Sequence, residues 1–426
     1  MTTFPDIVIT GWGAVGPSGA GREAVVQAFR DGAVPLREVD RSGGYHRNAG
    51  SRLAATIDSN LDLSTWISPR QARRMSPPSR LAVASARMAF EQADMPEEEA
   101  KVRNTAVVTS TSFGPSSYTE DLMRQILLDA PTAASPFLFS EAVANAPAAQ
   151  IALLLGAKGP NLTITQRESG PLLAVAHGVE ALRRGRTGLA VVAAADESNA
   201  LLHSVLDRFG VLAGSRPTRD EAGMEEVARP FDHHRNGFVL GAGATALLLE
   251  TATSAVERGA RPLATIRATI TAFDPGAHEA GWSNDPEPLA RHLRRGLESR
   301  GIEPSSIGLV VAGAAGTREG DRQEALVLRR ALLGQDWADL GVQLPPVLAP
   351  KAYMGEHGGA SLAAAMLACE PEAADTEPLA ATPGFREVDP ELGLVPFQGG
   401  TLPTVHRILV STLAAGGSSA WMILDL

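Results

Sequence analysis

Ile164-Thr165-Gln166-Arg167-Glu168-Ser169-Gly170 is the stretch whose reading decides the fold. Asn161 to Thr165 reads as a short strand. Leu172, Val175, Val179 and Leu182 then recur at helical spacing, so the chain turns sharply near Arg167 and enters a helix. Arg183 and Arg184 suit the negative C-terminal end of that helix, and Gly185 can take the left-handed stop. Leu189 to Ala195 follows as a buried strand. A strand–turn–helix unit presents one side chain at a helix N-terminus, where partial positive charge lowers the pKa of a nucleophile. An enzyme would put cysteine or serine there, and this chain has Arg167. Its guanidinium stays protonated and offers no lone pair to a carbonyl carbon. It also opposes the helix dipole, by a few tenths to about 1 kcal/mol, unless a carboxylate compensates. An ordinary surface arginine on a loop is the other reading of this residue.

On the N-terminal side, Ile7 to Gly16 is a strand running into a glycine-rich turn, followed by a helix around Glu23 to Phe29. Gly11, Gly13 and Gly16 nearly match a dinucleotide fingerprint, but no acidic residue follows at the right place in a next strand, which argues against nucleotide binding. Residues 33 to 68 have little periodicity. Pro69 to Ala93 turns helical after Pro78, and Arg70, Arg73, Arg74, Arg80 and Arg87 read as its solvated face. Thr105 to Thr111 is a buried strand, Tyr118 to Leu128 a helix, Ser135 to Phe139 an aromatic loop and Val143 to Leu155 a helix ending at Gly156. His233 and His234 sit in a turn-rich loop without a third ligand at metal-binding spacing. The second half repeats the scheme: strands at Ala264–Ala272 and Ile307–Ala312, helices at Pro286–Arg300 and within Gly355–Leu367, and two closing strands. Two successive halves of similar order imply a duplicated α/β core.

At 426 residues, with 44% hydrophobic and 20% charged residues, the chain has ample material for a core. A net charge of −10 argues against general nucleic-acid binding and does not favour anionic membranes. No apolar run reaches the roughly 18 residues of a membrane span, and Met1 to Asp6 does not read as a secretion signal. A single cysteine, Cys369, excludes an intrachain disulfide and suits a reducing cytoplasm.

Taken together, the residues resemble the β-ketoacyl synthase family of thiolase fold. The similarity runs through Val8–Gly16, Ser135–Pro160 (with Ser-Pro-Phe, Asn145 and Gly159-Pro160), Arg229–Gly243, Gly320-Asp321 with Glu324, Lys351 with Gly355, and Gly416-Gly417. The resemblance implies a five-layer α-β-α-β-α fold, with residues 1–255 and 256–426 as two halves of one composite body. Such synthases use a cysteine nucleophile at a strand-to-helix turn and two histidines that stabilise an enolate. Matching the motifs puts Arg167 on the cysteine, Gly313 on the first histidine and Glu356 on the second. Ala242 falls where the family has an acidic residue, and Ala415 on the gating phenylalanine. His357 lies one residue past the expected histidine, a rotation of about 100° on a helix. Lys351 and Glu324 stand where the family has a supporting ion pair.

The pattern resembles a chain length factor, the inactive subunit of a type II polyketide ketosynthase. That resemblance implies no cofactor, a heterodimer with an active ketosynthase α subunit or a dimer of such heterodimers, and access to acyl carrier protein through the complex. It also implies that Ser116, Tyr118 and Met123 line an acyl tunnel at the shared interface. Two alternatives stay open: a thiolase-fold acyltransferase or malonyl decarboxylase using Glu356 or His357 as base, and a β-ketoacyl synthase whose catalytic residues lie elsewhere. The residues further suggest an Arg167–Glu356 salt bridge plugging the site, with Glu168 as rival partner.

Overall fold

The computed structural model describes residues 4–43, 45, 50–216, 223–334, 343–370 and 378–426. The long strands of the first half are β1 (Ile7–Gly16), β2 (Ala106–Ser110), β3 (Asn161–Ile164), β4 (Ala190–Asp196) and β5 (Gly243–Thr251). Those of the second half are β6 (Ala264–Phe273), β7 (Leu309–Val311), β8 (Val347–Leu348), β9 (Arg407–Leu413) and β10 (Ser418–Asp425). Their spatial order is β8-β7-β9-β10-β6-β1-β5-β4-β2-β3. Counted outward from the middle, the second half runs 6-10-9-7-8 and the first 1-5-4-2-3, the same topology twice. The two sets meet where Ile7, Val8 and Ile9 pair antiparallel with Ile266, Thr265 and Ala264. The two sheets implied by the duplication are thereby hydrogen-bonded into one continuous path.

Strand periodicity sorts the core into three layers. Val108, Val192, Leu249, Val311 and Leu424 face a central cluster, which also holds helices α5 (Gly170–Arg183) and α9 (Gly359–Cys369). Their neighbours Val107, Val191 and Leu248 face outward onto α2 (Pro77–Gln92) and α4 (Ala146–Leu155). In the second half Val310, Leu409 and Ile423 face α7 (Glu287–Glu298) and α8 (Arg318–Leu333). Every residue of α9 is buried, which requires an apolar surface all round, and Gly359 to Cys369 supplies one. Three helical layers around two sheet halves make the five-layer α-β-α-β-α arrangement of a thiolase-like fold.

The glycines of β1 serve packing. A Cβ on Gly11 would lie 2.1 Å from Ala89 O, and one on Gly13 would lie 2.3 Å from Met88 Cβ. Helix α2 therefore lies directly on the strand, at the glycines that resembled a nucleotide loop. The Ser135–Phe139 segment, expected as a loop, opens a helix at Pro136–Glu141, capped by Ser135 Oγ accepting from the Leu138 N–H. Helix α3 begins at Ser116, runs to Arg124 and continues as a wide π turn through Asp129. Among the described residues no helix is long and apolar enough to cross a membrane.

Candidate active site

Three chain reversals converge near the midline of the molecule. The first follows β3, where the Gly170 N–H donates to Arg167 O at 3.0 Å and α5 begins. The second follows β7 and leads to Gly313, whose N–H donates to Glu324 Oε1 at 2.9 Å. The third follows the short helix Lys351–Met354, where Gly355 takes φ 77°, a conformation that favours glycine. Glu356 is then held by the backbone of the neighbouring loop: its N–H donates to Val239 O, and its carbonyl accepts from the Gly241 N–H. A Cβ on Gly355 would come within 2.7 Å of the Ala55 Cβ. That close approach makes glycine obligatory at this reversal.

A small cavity of about 20 Å³ lies at the convergence, lined by Glu168, Gly313, Glu324 and Glu356 among others. A larger one of about 390 Å³ adjoins it, and Arg167, Glu168, Glu197, Trp282, Glu356 and Ala415 contribute to its wall. The structure thus brings Gly313 and Glu356 together, but the residue facing them from the first half is Glu168. Arg167, expected at that place, reaches only the larger cavity, where Nη2 donates to Ala415 O at 3.2 Å. Its Nε lies 3.9 Å from Glu168 Oε2. The Arg167–Glu356 salt bridge does not form, and the rival partner Glu168 takes the guanidinium. The cause is solvation: the Arg167 side chain keeps 38% of its surface exposed against 20% for Glu168, and a cation left partly in water escapes most of the cost of burial.

Glu356 pairs instead with Lys351, at 2.8 Å between Nζ and Oε2. Lys351 is almost completely buried, and its ammonium has no well-angled hydrogen bond beyond that ion pair. Burial lowers its pKa, but the carboxylates of Glu356 and then Glu168 outweigh this and hold it above the ordinary lysine value. Burial pushes the Glu356 carboxyl up to about 7 in spite of Lys351. The expected Lys351–Glu324 pair does not form. Glu324 accepts instead from Ser411 Oγ at 2.6 Å and from the Gly313 N–H. Both neutral donors go to Oε1, and burial raises the carboxyl to about 7.

Two acidic residues organise the surroundings, Asp196, which the sequence reading did not single out, and Asp321, which it named only as part of a motif. Asp196, at the end of β4, accepts from Thr111 Oγ1, from the Ser112 N–H at 2.6 Å and from the Gly358 N–H at 2.8 Å, joining the first-half strand ends to the loop that carries Glu356. Asp321 gathers the N–H groups of Phe231, Ala315, Gly316 and Thr317. Only the Gly320-Asp321 pair in the motif series hinted at the second. His357 is buried against Gly243, neither ring nitrogen has a partner, and burial lowers its pKa to about 3, so the imidazole is neutral. It lines neither cavity. Cys369 is buried at the far end of α9, where burial pushes its thiol up, and it faces a separate polar cleft. His234 pairs with Glu387 at 3.2 Å, and no metal-binding group of three or more ligands occurs among the described residues.

Residues 5–255 match the β-ketoacyl synthase N-terminal domain family and residues 263–370 the C-terminal domain family. The chain belongs to the β-ketoacyl synthase family. It is 29% identical to the granaticin polyketide putative β-ketoacyl synthase 1 of Streptomyces violaceoruber, over 85% of this chain and 86% of that protein. It is also 29% identical to a putative polyketide β-ketoacyl synthase 2 of Streptomyces halstedii, over 98% of this chain and 96% of that one. Among solved structures it resembles the ishigamide ketosynthase/chain length factor with a TM-score of 0.84 at 26% identity, covering 99% of both chains.

The three tunnel candidates of this β-ketoacyl synthase family chain point in different directions. Ser116 Oγ donates to Glu197 Oε1 at 3.0 Å and accepts from Asn199 Nδ2 at 2.8 Å. Tyr118 donates to Met75 O at 3.2 Å and stands edge-on to Phe137. Met123 is 43% exposed, in a surface that also exposes Leu127, Leu128, Phe137 and Phe139. None of the three lines the 390 Å³ cavity. Helical spacing puts Ser116 and Met123 on a common face, but Ser116 lies at the first turn, where the buried carboxylate of Glu197 claims it.

Proposed function

We propose that this chain is the non-condensing subunit of a type II ketosynthase, a chain length factor that pairs with an active ketosynthase and borders the path of the growing acyl chain delivered by an acyl carrier protein. The observation that carries this reading is the composition of the converging turns. Glu168, Gly313 and Glu356 stand there, and they include neither a thiol to take an acyl group nor an imidazole to steady an enolate. The only cysteine, Cys369, and His357 are both buried, and neither lines the two cavities at these turns.

Two surface features support a partner. Met123 on α3, Leu127 and Leu128 on the π turn that follows, and Phe137 and Phe139 on the helix Pro136–Glu141 leave large apolar side chains exposed. Strand β3, outermost in the sheet, exposes Leu162 and an unpaired edge. On this reading Met123 faces the partner, and Ser116 and Tyr118 shape the helix that presents it. Intact-mass analysis after incubation with an acyl carrier protein thioester tests the proposal. The chain stays unmodified, and condensation requires co-expression with a ketosynthase that has its cysteine and histidines. A stable acyl adduct on this chain overturns it.

One observation favours a second reading. A Glu356 carboxyl raised by burial and standing on the cavity wall suits a general base. Under that reading the isolated chain releases carbon dioxide from malonyl carrier protein, and Glu356→Gln stops it.

A further inference from the structure

A second cavity, of about 510 Å³, lies beneath the segment from Thr56 to Leu81. Ile57, Leu61, Leu63, Ile67, Leu81 and Ala242 give it an apolar lining, and Asp58, Asp62 and Arg80 also border it. Two stretches of chain run past both this cavity and the 390 Å³ cavity beside the converging turns. On the first, Asp196 and Glu197 line the first cavity, while Glu197, Ser198 and Asn199 line the second. On the other, Leu240 and Gly241 line the first, and Ala242 lines the second. Among the described residues, Glu197 is the only one that lines both cavities.

Glu197 is fixed in that place. It is buried, and it accepts from Ser116 Oγ at 3.0 Å, the Ser117 N–H at 2.8 Å and Ser117 Oγ at 2.7 Å. Asn199 Nδ2 in turn donates to Ser116 Oγ. Moving the carboxylate aside would break these bonds together, and pressing an alkyl chain against it would strip a polar group without compensation. Burial raises the pKa of the carboxyl against the pull of those donors.

We propose that Glu197 is the specificity-determining wall that stops an aliphatic acyl chain in the first cavity from extending into the second. The inference rests on the acyl-chain reading of the first cavity given above. Removing the carboxylate opens a longer apolar path, and filling the far side at Ala242 closes it again.

The probes are octanoyl and hexadecanoyl pantetheine amides, titrated against the full chain in complex with its ketosynthase. In the wild type the two bind alike, because the added methylenes find no cavity. Glu197→Ala tightens hexadecanoyl binding about tenfold, the worth of burying roughly two further methylene groups, and leaves octanoyl unchanged. Glu197→Gln keeps an acceptor for the Ser117 N–H and behaves as wild type. Adding Ala242→Leu to Glu197→Ala removes the gain. A wild type that already prefers hexadecanoyl, an equal effect on both probes, or a gain that survives Ala242→Leu overturns the inference. Should Glu197→Ala fail to fold, Glu197→Leu, which keeps bulk but not charge, is measured in its place, and a gain for hexadecanoyl there too assigns the barrier to charge. If it shows none, the inference is overturned and the wall lies elsewhere. A tenfold gain without any change in the products of the complex leaves the wall standing and refutes the chain-length role of the site.

Discussion

Glu324→Gln separates the charge of the buried carboxyl from its shape. Glu324 is 2% exposed and accepts from Ser411 Oγ and the Gly313 N–H. Its carboxyl sits near 7 in the fold against an ordinary value of 4.5. That difference is worth about 3 kcal/mol between the two protonation states. The folded pKa is the higher one, so the folded state binds the proton more tightly than the unfolded chain does. The resulting stabilisation is complete below about pH 4.5 and is lost as pH rises through 7. Glutamine keeps an acceptor for both donors and cannot ionise. The variant should therefore lose little at pH 5 and gain on wild type as pH rises, by up to about 3 kcal/mol at pH 8. Urea denaturation of both proteins at a series of pH values reads this difference, and the other titrating groups cancel in the subtraction. A variant-minus-wild-type difference that is flat between pH 5 and 8, or that falls with pH, refutes the reasoning.

Lys351→Met leaves the half-buried Glu356 without its cation and should cost up to about 3 kcal/mol, whereas Lys351→Met with Glu356→Gln should cost less than the single change, a coupling read by a double-mutant cycle of thermal or urea unfolding. Gly13→Ala drives a Cβ to 2.3 Å from Met88 Cβ and 2.4 Å from Ser85 O; it should destabilise by about 3 kcal/mol or more, while a nucleotide-binding role, were there one, would show as loss of ligand binding at unchanged stability. Arg167→Ala removes one bond to Ala415 O and a long pair with Glu168, so a change in stability beyond about 1 kcal/mol would contradict its half-exposed placement.

Much of the fold was written locally. The alternation along Val107–Val108, Val191–Val192 and Leu248–Leu249 names the strands and their two faces, and the run Gly359 to Cys369 announces a helix buried all round. The repeated order of strands and helices carries the duplication. The motif series places the three converging turns and puts Arg167, Gly313 and Glu356 at the family's cysteine and two histidine positions. These features depend on residues close together in the chain, where period and turn chemistry act directly.

What only the tertiary structure decided are the choices between neighbours and between distant partners. Arg167 and Glu168 are adjacent on one turn, and which of them faces Gly313 depends on how far the turn has rotated when α5 begins, and on how much water each charge retains. Lys351 had two carboxylates to choose from. It pairs with Glu356, while Ser411, from a strand far along the chain, donates to Glu324. Glu197 looked like any acidic residue after a strand until Ser116 and Ser117 arrived from 80 residues away to hold it between two cavities. Periodicity is set by the backbone, so sequence alone can carry it; the partner of a buried charge is set by whatever else is packed around it, and that exists only once the chain has folded.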